Sequence, residues 1–144
     1  MKLSADNLKI LIVDESCRLK AYQDTGGVWT IGFGHTKGVK AGDVITLPKA
    51  YELLSQDMGD VERWINVQGL KLNQNQFDSL CDFIYNCGPG NFIKWGLLNM
   101  IRKNPMNKEI GDEIMKHCHD AHGTELPGLV RRRERNVDLY FKSI

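Results

Sequence analysis

The amino-acid sequence predicts an α+β fold in which helices dominate, and three observations carry that reading. Apolar residues recur at helical spacing over most of the chain, most clearly at Ala50, Leu53, Leu54, Met58, Val61 and Ile65. Only Val28 to Phe33 switches to strand alternation, directly behind a Gly26-Gly27 turn, which reads as a β-hairpin. The resulting order is a helix, a small antiparallel sheet, a long helix and then a helical bundle. A length of 144 residues suits one domain with a real core.

Taken in order, Ser4 caps a first helix expected over Ala5 to Cys17, with Leu8, Leu11, Ile12 and Glu15 at helical spacing. The hairpin follows from Leu19 to Phe33. Its alternation sets Val28, Thr30 and Gly32 on one face and Trp29, Ile31 and Phe33 on the other. Lys37 to Val44 is a polar loop. Thr46 then caps a long helix from Leu47 to Ile65, with Pro48 in its first turn. Asn73 and Gln76 form a capping box, with Asn in place of the usual Ser or Thr, ahead of a buried helix through Phe77, Leu80, Cys81 and Ile84. Gly88-Pro89-Gly90 breaks the chain. Helices are then expected from Trp95 to Lys103, from Asn107 to Cys118 and from Leu129 to Phe141, with a turn over Gly123 to Gly128.

Hydrophobic residues at 42% and charged residues at 26% place the chain among ordinary globular proteins. A net charge of +1 gives no global attraction to nucleic acid, and no apolar run reaches the ~18 residues of a membrane span. Cys17, Cys81, Cys87 and Cys118 lack metal-type spacing, and all four are expected as free thiols. His117, Cys118, His119 and His122 are denser. Helical neighbours point around the axis, however, and no second pair completes a tetrahedral set, so a polar helix end without metal is expected.

The chemistry-bearing stretch is Glu15 to Thr36. Glu15 sits near a helix end among apolar residues, which desolvates it and favours the protonated form that a general acid requires. Asp24 and Thr30 come from the hairpin. Two carboxyl groups on different elements, facing one another across a cleft, are what glycoside hydrolysis needs. Without further information, a solvated acidic pair beside a surface hairpin reads as well.

The ordered set Glu15, Asp24, Thr30 and Gly32-Phe33-Gly34-His35-Thr36 resembles the catalytic segment of phage-type lysozymes, glycoside hydrolase family 24. The resemblance continues through Leu72-Asn73, Gln76-Phe77-Asp78, Asn86-Cys87-Gly88 and Leu126-Pro127-Gly128-Leu129-Val130-Arg131-Arg132, nearly the whole chain. It implies a lysozyme-like, two-lobed fold in a single domain. An N-terminal lobe would span about 14–50, a connecting helix about 47–66, and a C-terminal lobe about 67–144, with the first helix packed on the latter.

It also implies a muramidase cleaving the β-1,4 bond between N-acetylmuramic acid and N-acetylglucosamine in peptidoglycan. Glu15 would be the general acid, and Asp24 and Thr30 would position water; Asp24 as nucleophile is the retaining alternative. Thr36, Tyr85 and Asn86 would bind the sugar, although Tyr85 reads equally as a core ring. His35 would pair with Asp57, and Asp14 with an arginine of the last helix, Arg132, leaving Arg133 at the surface. No cofactor and no metal are implied.

Two departures from the family pattern stand out. Ser16 follows the catalytic Glu15 where many members carry Gly, and Met115 and Cys118 stand where many carry Phe and Trp. A lysozyme-like module that binds glycan without cutting it is the second reading. Nucleic-acid binding through Arg131, Arg132, Arg133 and Arg135 is a third, with no interleaved aromatics to support it. The opening MKLSADNLK lacks the apolar core of a signal peptide. A monomer held in the host cytoplasm until a separate membrane-permeabilising protein releases it is therefore expected.

Overall fold

The computed structural model describes residues 1–144: seven helices and one two-stranded antiparallel sheet, the mainly helical α+β class expected. Helix α1 (Ala5–Glu15) is capped by Ser4, whose Oγ accepts from the Asn7 amide at 3.4 Å. It stops two residues earlier than the pattern suggests. Ser16 turns to φ 52°, ψ 176° while its amide still donates to the Ile12 carbonyl. That turn makes Glu15 the last helical residue.

Strands β1 (Arg18–Gln23) and β2 (Trp29–Gly32) pair with Tyr22 opposite Thr30 and Gln23 opposite Trp29, with an irregularity between Arg18 and Tyr22. The turn is built by Asp24. Its Oδ1 accepts from the Gly26 and Val28 amides at 2.9 Å each, while Gly27 takes φ 80°. The expected one-face burial is not what β2 shows. Thr30, Ile31, Gly32 and Phe33 are all buried, because β2 packs against the long helix as well as pairing with β1. The end of the polar loop also joins the sheet: the Ala21 amide donates to the Asp43 carbonyl and the Ile45 amide to that of Leu19, each at 2.9 Å.

Helix α2 (Leu47–Val67) begins at Thr46, as expected, and buries Ala50, Leu54, Met58 and Ile65. Helix α3 (Gln74–Cys87) carries the full capping box. The Gln76 amide donates to Asn73 Oδ1 at 2.8 Å, and the Asn73 amide to Gln76 Oε1 at 2.9 Å. Gly88, at φ 87°, does break the chain, but Pro89 then opens a short helix α4 (Pro89–Lys94), where the sequence pattern suggests a plain break. Helices α5 (Leu97–Lys103), α6 (Glu109–Met115) and α7 (Pro127–Tyr140) complete the molecule.

One core runs through α2 to α7, with Phe77, Leu80, Phe83, Phe92, Leu97 and Ile110 fully enclosed. Helix α1 lies on the C-terminal helices. Ser4 Oγ and Asn7 Nδ2 donate to Asp78 Oδ2 of α3 at 2.6 and 2.9 Å, and Leu11 is fully buried.

Residues 116–126 differ from expectation. Helix α6 ends at Met115, and the chain forms a small hairpin instead of a helical end. His119 bridges Glu125, the Asp120 amide donates to the Thr124 carbonyl at 2.9 Å, and the Leu126 amide to that of Cys118 at 3.0 Å. Asp120 anchors it as Asp24 anchors the other turn, its Oδ1 accepting from the His122 and Thr124 amides. Cys118 is buried.

Candidate active site

The end of α1 delivers Glu15 beneath the hairpin. Its side chain is only 14% exposed. Burial pushes its carboxyl above the ordinary value of 4.5, a push that the neighbouring Arg132 guanidinium opposes without cancelling. Arg132 Nη2 lies 2.8 Å from Glu15 Oε1, but the contact is an ion pair outside hydrogen-bond alignment. The guanidinium is instead aligned on Asp82, with Nε 3.2 Å from Oδ2 and Nη2 2.9 Å from Oδ1. Asn136 Nδ2 donates to the same Asp82 Oδ2 at 2.7 Å. Asp82 is thus the carboxylate that neutralises Arg132: burial alone would raise its pKa, and the arginine and asparagine contacts bring it below the ordinary value.

Gly34 closes over Glu15. A Cβ at this position, which has φ 85°, would stand 2.9 Å from Glu15 Oε2. Just before it, the Phe33 carbonyl accepts from the Tyr85 hydroxyl at 2.5 Å, tying α3 to the hairpin. Burial raises the Tyr85 pKa, and the Glu15 and Asp57 carboxylates add to the effect. Tyr85 therefore serves the frame of the site while its ring flank lines a small depression with Thr36 and His35.

Asp24 is exposed at the hairpin turn. Its Oδ1 is committed to two amides, and its Oδ2 has no protein partner. Thr30 is buried, and its hydroxyl donates to the Val28 carbonyl at 3.0 Å. Tyr22 is paired with Thr30 across the ladder. Its pKa is raised by burial and further by both Glu15 and Asp24, while the Arg18 guanidinium lies 4.2 Å over its ring. The sequence reading did not single out Tyr22; its signal was its register opposite Thr30.

Asp24 opens onto a groove of about 830 Å³, lined by Asn86, Asn91, Lys94, Trp95, Lys116 and the 119–121 turn among others. That volume suits a ligand larger than one sugar ring. Asn86 Oδ1 accepts from Arg133, which fixes the amide so that Nδ2 remains available as a donor. Of the three expected sugar-binding residues, Asn86 thus shares the Asp24 groove, whereas Thr36 and Tyr85 line the smaller depression.

The ion pairs are only partly as expected. His35 Nδ1 meets Asp57 Oδ2 at 2.7 Å, and Nε2 meets the Lys37 carbonyl at 2.9 Å, so both ring nitrogens are engaged in holding the hairpin to α2. Asp14 accepts its hydrogen bond from Arg135, with Arg132 Nε at the edge of its reach, 3.8 Å away. The expected Asp14–Arg132 pair is thus secondary, because Glu15 and Asp82 draw Arg132 inward. Arg133, expected at the surface, is fully buried. Its guanidinium lies 4.8 Å over the Phe83 ring and contacts Asn86 and Cys87, with no carboxylate partner.

A desolvated carboxyl with a raised pKa, a second carboxylate with one free oxygen and a groove beside it are the parts that a glycoside hydrolase of the lysozyme type uses. The phage lysozyme family model matches residues 13–136. The endolysin of Salmonella phage P22 is 42% identical over 96% of this chain and 99% of its own, and that of Acyrthosiphon pisum secondary endosymbiont phage 1 is 34% identical over 97% and 98%. The muramidase domain of SpmX from Asticaccaulis excentricus superposes with a TM-score of 0.82 at 27% identity, covering 99% of each chain. The chain belongs to the phage lysozyme family.

Proposed function

We propose that this protein is an endolysin muramidase that hydrolyses the β-1,4 bond between N-acetylmuramic acid and N-acetylglucosamine in bacterial peptidoglycan. The observation that carries this reading is Glu15, buried under Gly34 with its pKa raised. A carboxyl that keeps its proton in a desolvated pocket can give it to the departing glycosidic oxygen. Asp24 and Thr30 position the water. Thr30 spends its proton on the Val28 carbonyl, so towards solvent its hydroxyl only accepts. Asp24 Oδ2 accepts as well. A water donating to both has its lone pair free for the sugar carbon, the arrangement of a single, inverting displacement. Two carboxyl groups and a water suffice, with no cofactor.

Asn86 donates to hydroxyl or acetamido oxygens, and Thr36 and Tyr85 contact the sugar further along. Lys94 and Lys116 line the groove alongside Asp24 and Asp120 and offer donors to the carboxylates of an anionic wall polymer. The chain works as one domain and as a monomer: a lobe of about 14–50, a connecting helix of about 47–66 and a lobe of about 67–144 carrying α1. It takes no nucleic acid, since Arg132, Arg133 and Arg135 are engaged within the fold. No helix is long and apolar enough to cross a membrane. The reading has the protein wait in the host cytoplasm until a separate permeabilising protein gives it the wall.

Digestion of purified peptidoglycan with analysis of the new ends tests this reading. It should yield reducing N-acetylmuramic acid, released first as the α-anomer. No new reducing ends would instead establish a glycan-binding module, and an initial β-anomer would make Asp24 a nucleophile.

A further inference from the structure

The hairpin of residues 118–126 brings together three side chains that the active site does not use. His119 and Glu125 are a bridged pair, and their side chains fall on one face, with His119 Nε2 4.0 Å from Glu125 Oε2. Cys118 Sγ reaches the same imidazole, 3.9 Å from Nδ1. One donor atom from each residue can be chosen so that all three lie within 4.8 Å of one another. Asp120 stands outside this group, its Oδ1 accepting from two turn amides. His117 is not either, since it stacks on Trp95 with ring centroids 3.4 Å apart.

We propose that Cys118, His119 and Glu125 form a binding site for a borderline-soft divalent cation of the zinc type. Thiolate, imidazole and carboxylate are the donor types that zinc takes together. Metal–sulfur and metal–nitrogen bonds of about 2.3 and 2.0 Å give tetrahedral edges of roughly 3.5 Å. The donors therefore move inward by on the order of 1 Å, which rotation of the exposed His119 and Glu125 side chains provides. On binding, the Cys118 S–H bond breaks, its proton leaves to solvent, and the sulfur electron pair enters the metal–sulfur bond. The fourth position stays with water. The pattern was hidden in the sequence because Glu125 is distant along the chain and the segment reads as a helix end, where His119 and Cys118 would diverge.

The site also has a place in the molecule. The turn it closes carries Ala121, whose Cβ is 3.5 Å from the position a Gly26 Cβ would take, where the two turns meet across the groove. A bound ion ties the 118–126 wall opposite Asp24.

Titration of the full-length protein with cobalt(II), then zinc(II), tests the site. One equivalent of cobalt should produce a near-ultraviolet thiolate-to-metal band, which one equivalent of zinc abolishes, and zinc should raise the melting temperature. Cys118→Ser should remove the band, while Cys17→Ser, at a separate partly exposed thiol, should keep it. His119→Ala and Glu125→Gln, both at exposed positions and thus compatible with folding, should each weaken zinc binding at least tenfold. A band that follows Cys17, unchanged zinc affinity in both surface variants, or no saturable binding would overturn the proposal.

Discussion

Glu15 is held where its charge is least welcome, and that has a measurable sign. Because its folded pKa is raised above 4.5, the native state binds this proton more tightly than the unfolded chain. Stability is therefore lost as pH rises from the unfolded value through the folded one. Glu15→Gln removes that loss while Arg132 keeps Asp82, so the variant should melt higher than the parent at neutral pH, and the difference should vanish below pH 4.5. Thermal melts across pH check this. Gly34 and Ser16 set the same carboxyl from either side. At Gly34 an added methyl meets Glu15 Oε2, whereas at Gly38, with φ 72°, it meets nothing within 4 Å. Gly34→Ala and Gly38→Ala should both cost about 1–2 kcal/mol for the left-handed backbone, but only Gly34→Ala should also lower turnover per folded molecule. Ser16 is the one non-glycine residue with positive φ, in a region close to glycine-only. Ser16→Gly should stabilise by ~1 kcal/mol or more, read from denaturant midpoints.

Helix α7 divides its arginines by what each meets. Arg132 answers the buried Asp82, so Arg132→Ala leaves an uncompensated carboxylate and should cost about 3–5 kcal/mol. Arg135 is 45% exposed and pairs with Asp14, so its loss should cost no more than ~1 kcal/mol. Arg133 is buried on Phe83 without a carboxylate, and burial lowers its pKa. Arg133→Met, which keeps volume and discards the charge, should therefore be clearly more stable than Arg133→Ala in chemical denaturation. Elements whose signals are local were legible in the sequence: the Thr46 start of α2, the Asn73–Gln76 box of α3, and the Asp24 to Thr30 hairpin. What periodicity does not carry is depth. Arg131, Arg132 and Arg133 are equivalent by composition, and only the positions of Asp82 and Phe83 on α3 decide which go inward. Helix α4 was not legible because Pro89 after Gly88 ends one helix and begins another in two residues.

Across the whole molecule, the family was legible as an ordered set of residue types, while the separation of the two grooves was not. Asn86 and Asp24 share one groove and Thr36 and Tyr85 another, because the Tyr85 hydroxyl is drawn to the Phe33 carbonyl and its ring turns away from its sequence neighbour. No linear pattern encodes that bond between α3 and the hairpin. The four cysteines are free, Cys81 and Cys87 sharing helix α3, and titration of the unfolded chain without reductant should find four thiols. The most direct test of the account is the turnover of Glu15→Gln on purified peptidoglycan, measured on protein shown to be folded by its melting transition. A group that supplies the acid proton should take ~10²–10⁴-fold of the rate with it. A folded variant within about tenfold of the parent, well short of what a lost general acid costs, would contradict the assignment of Glu15 as the acid.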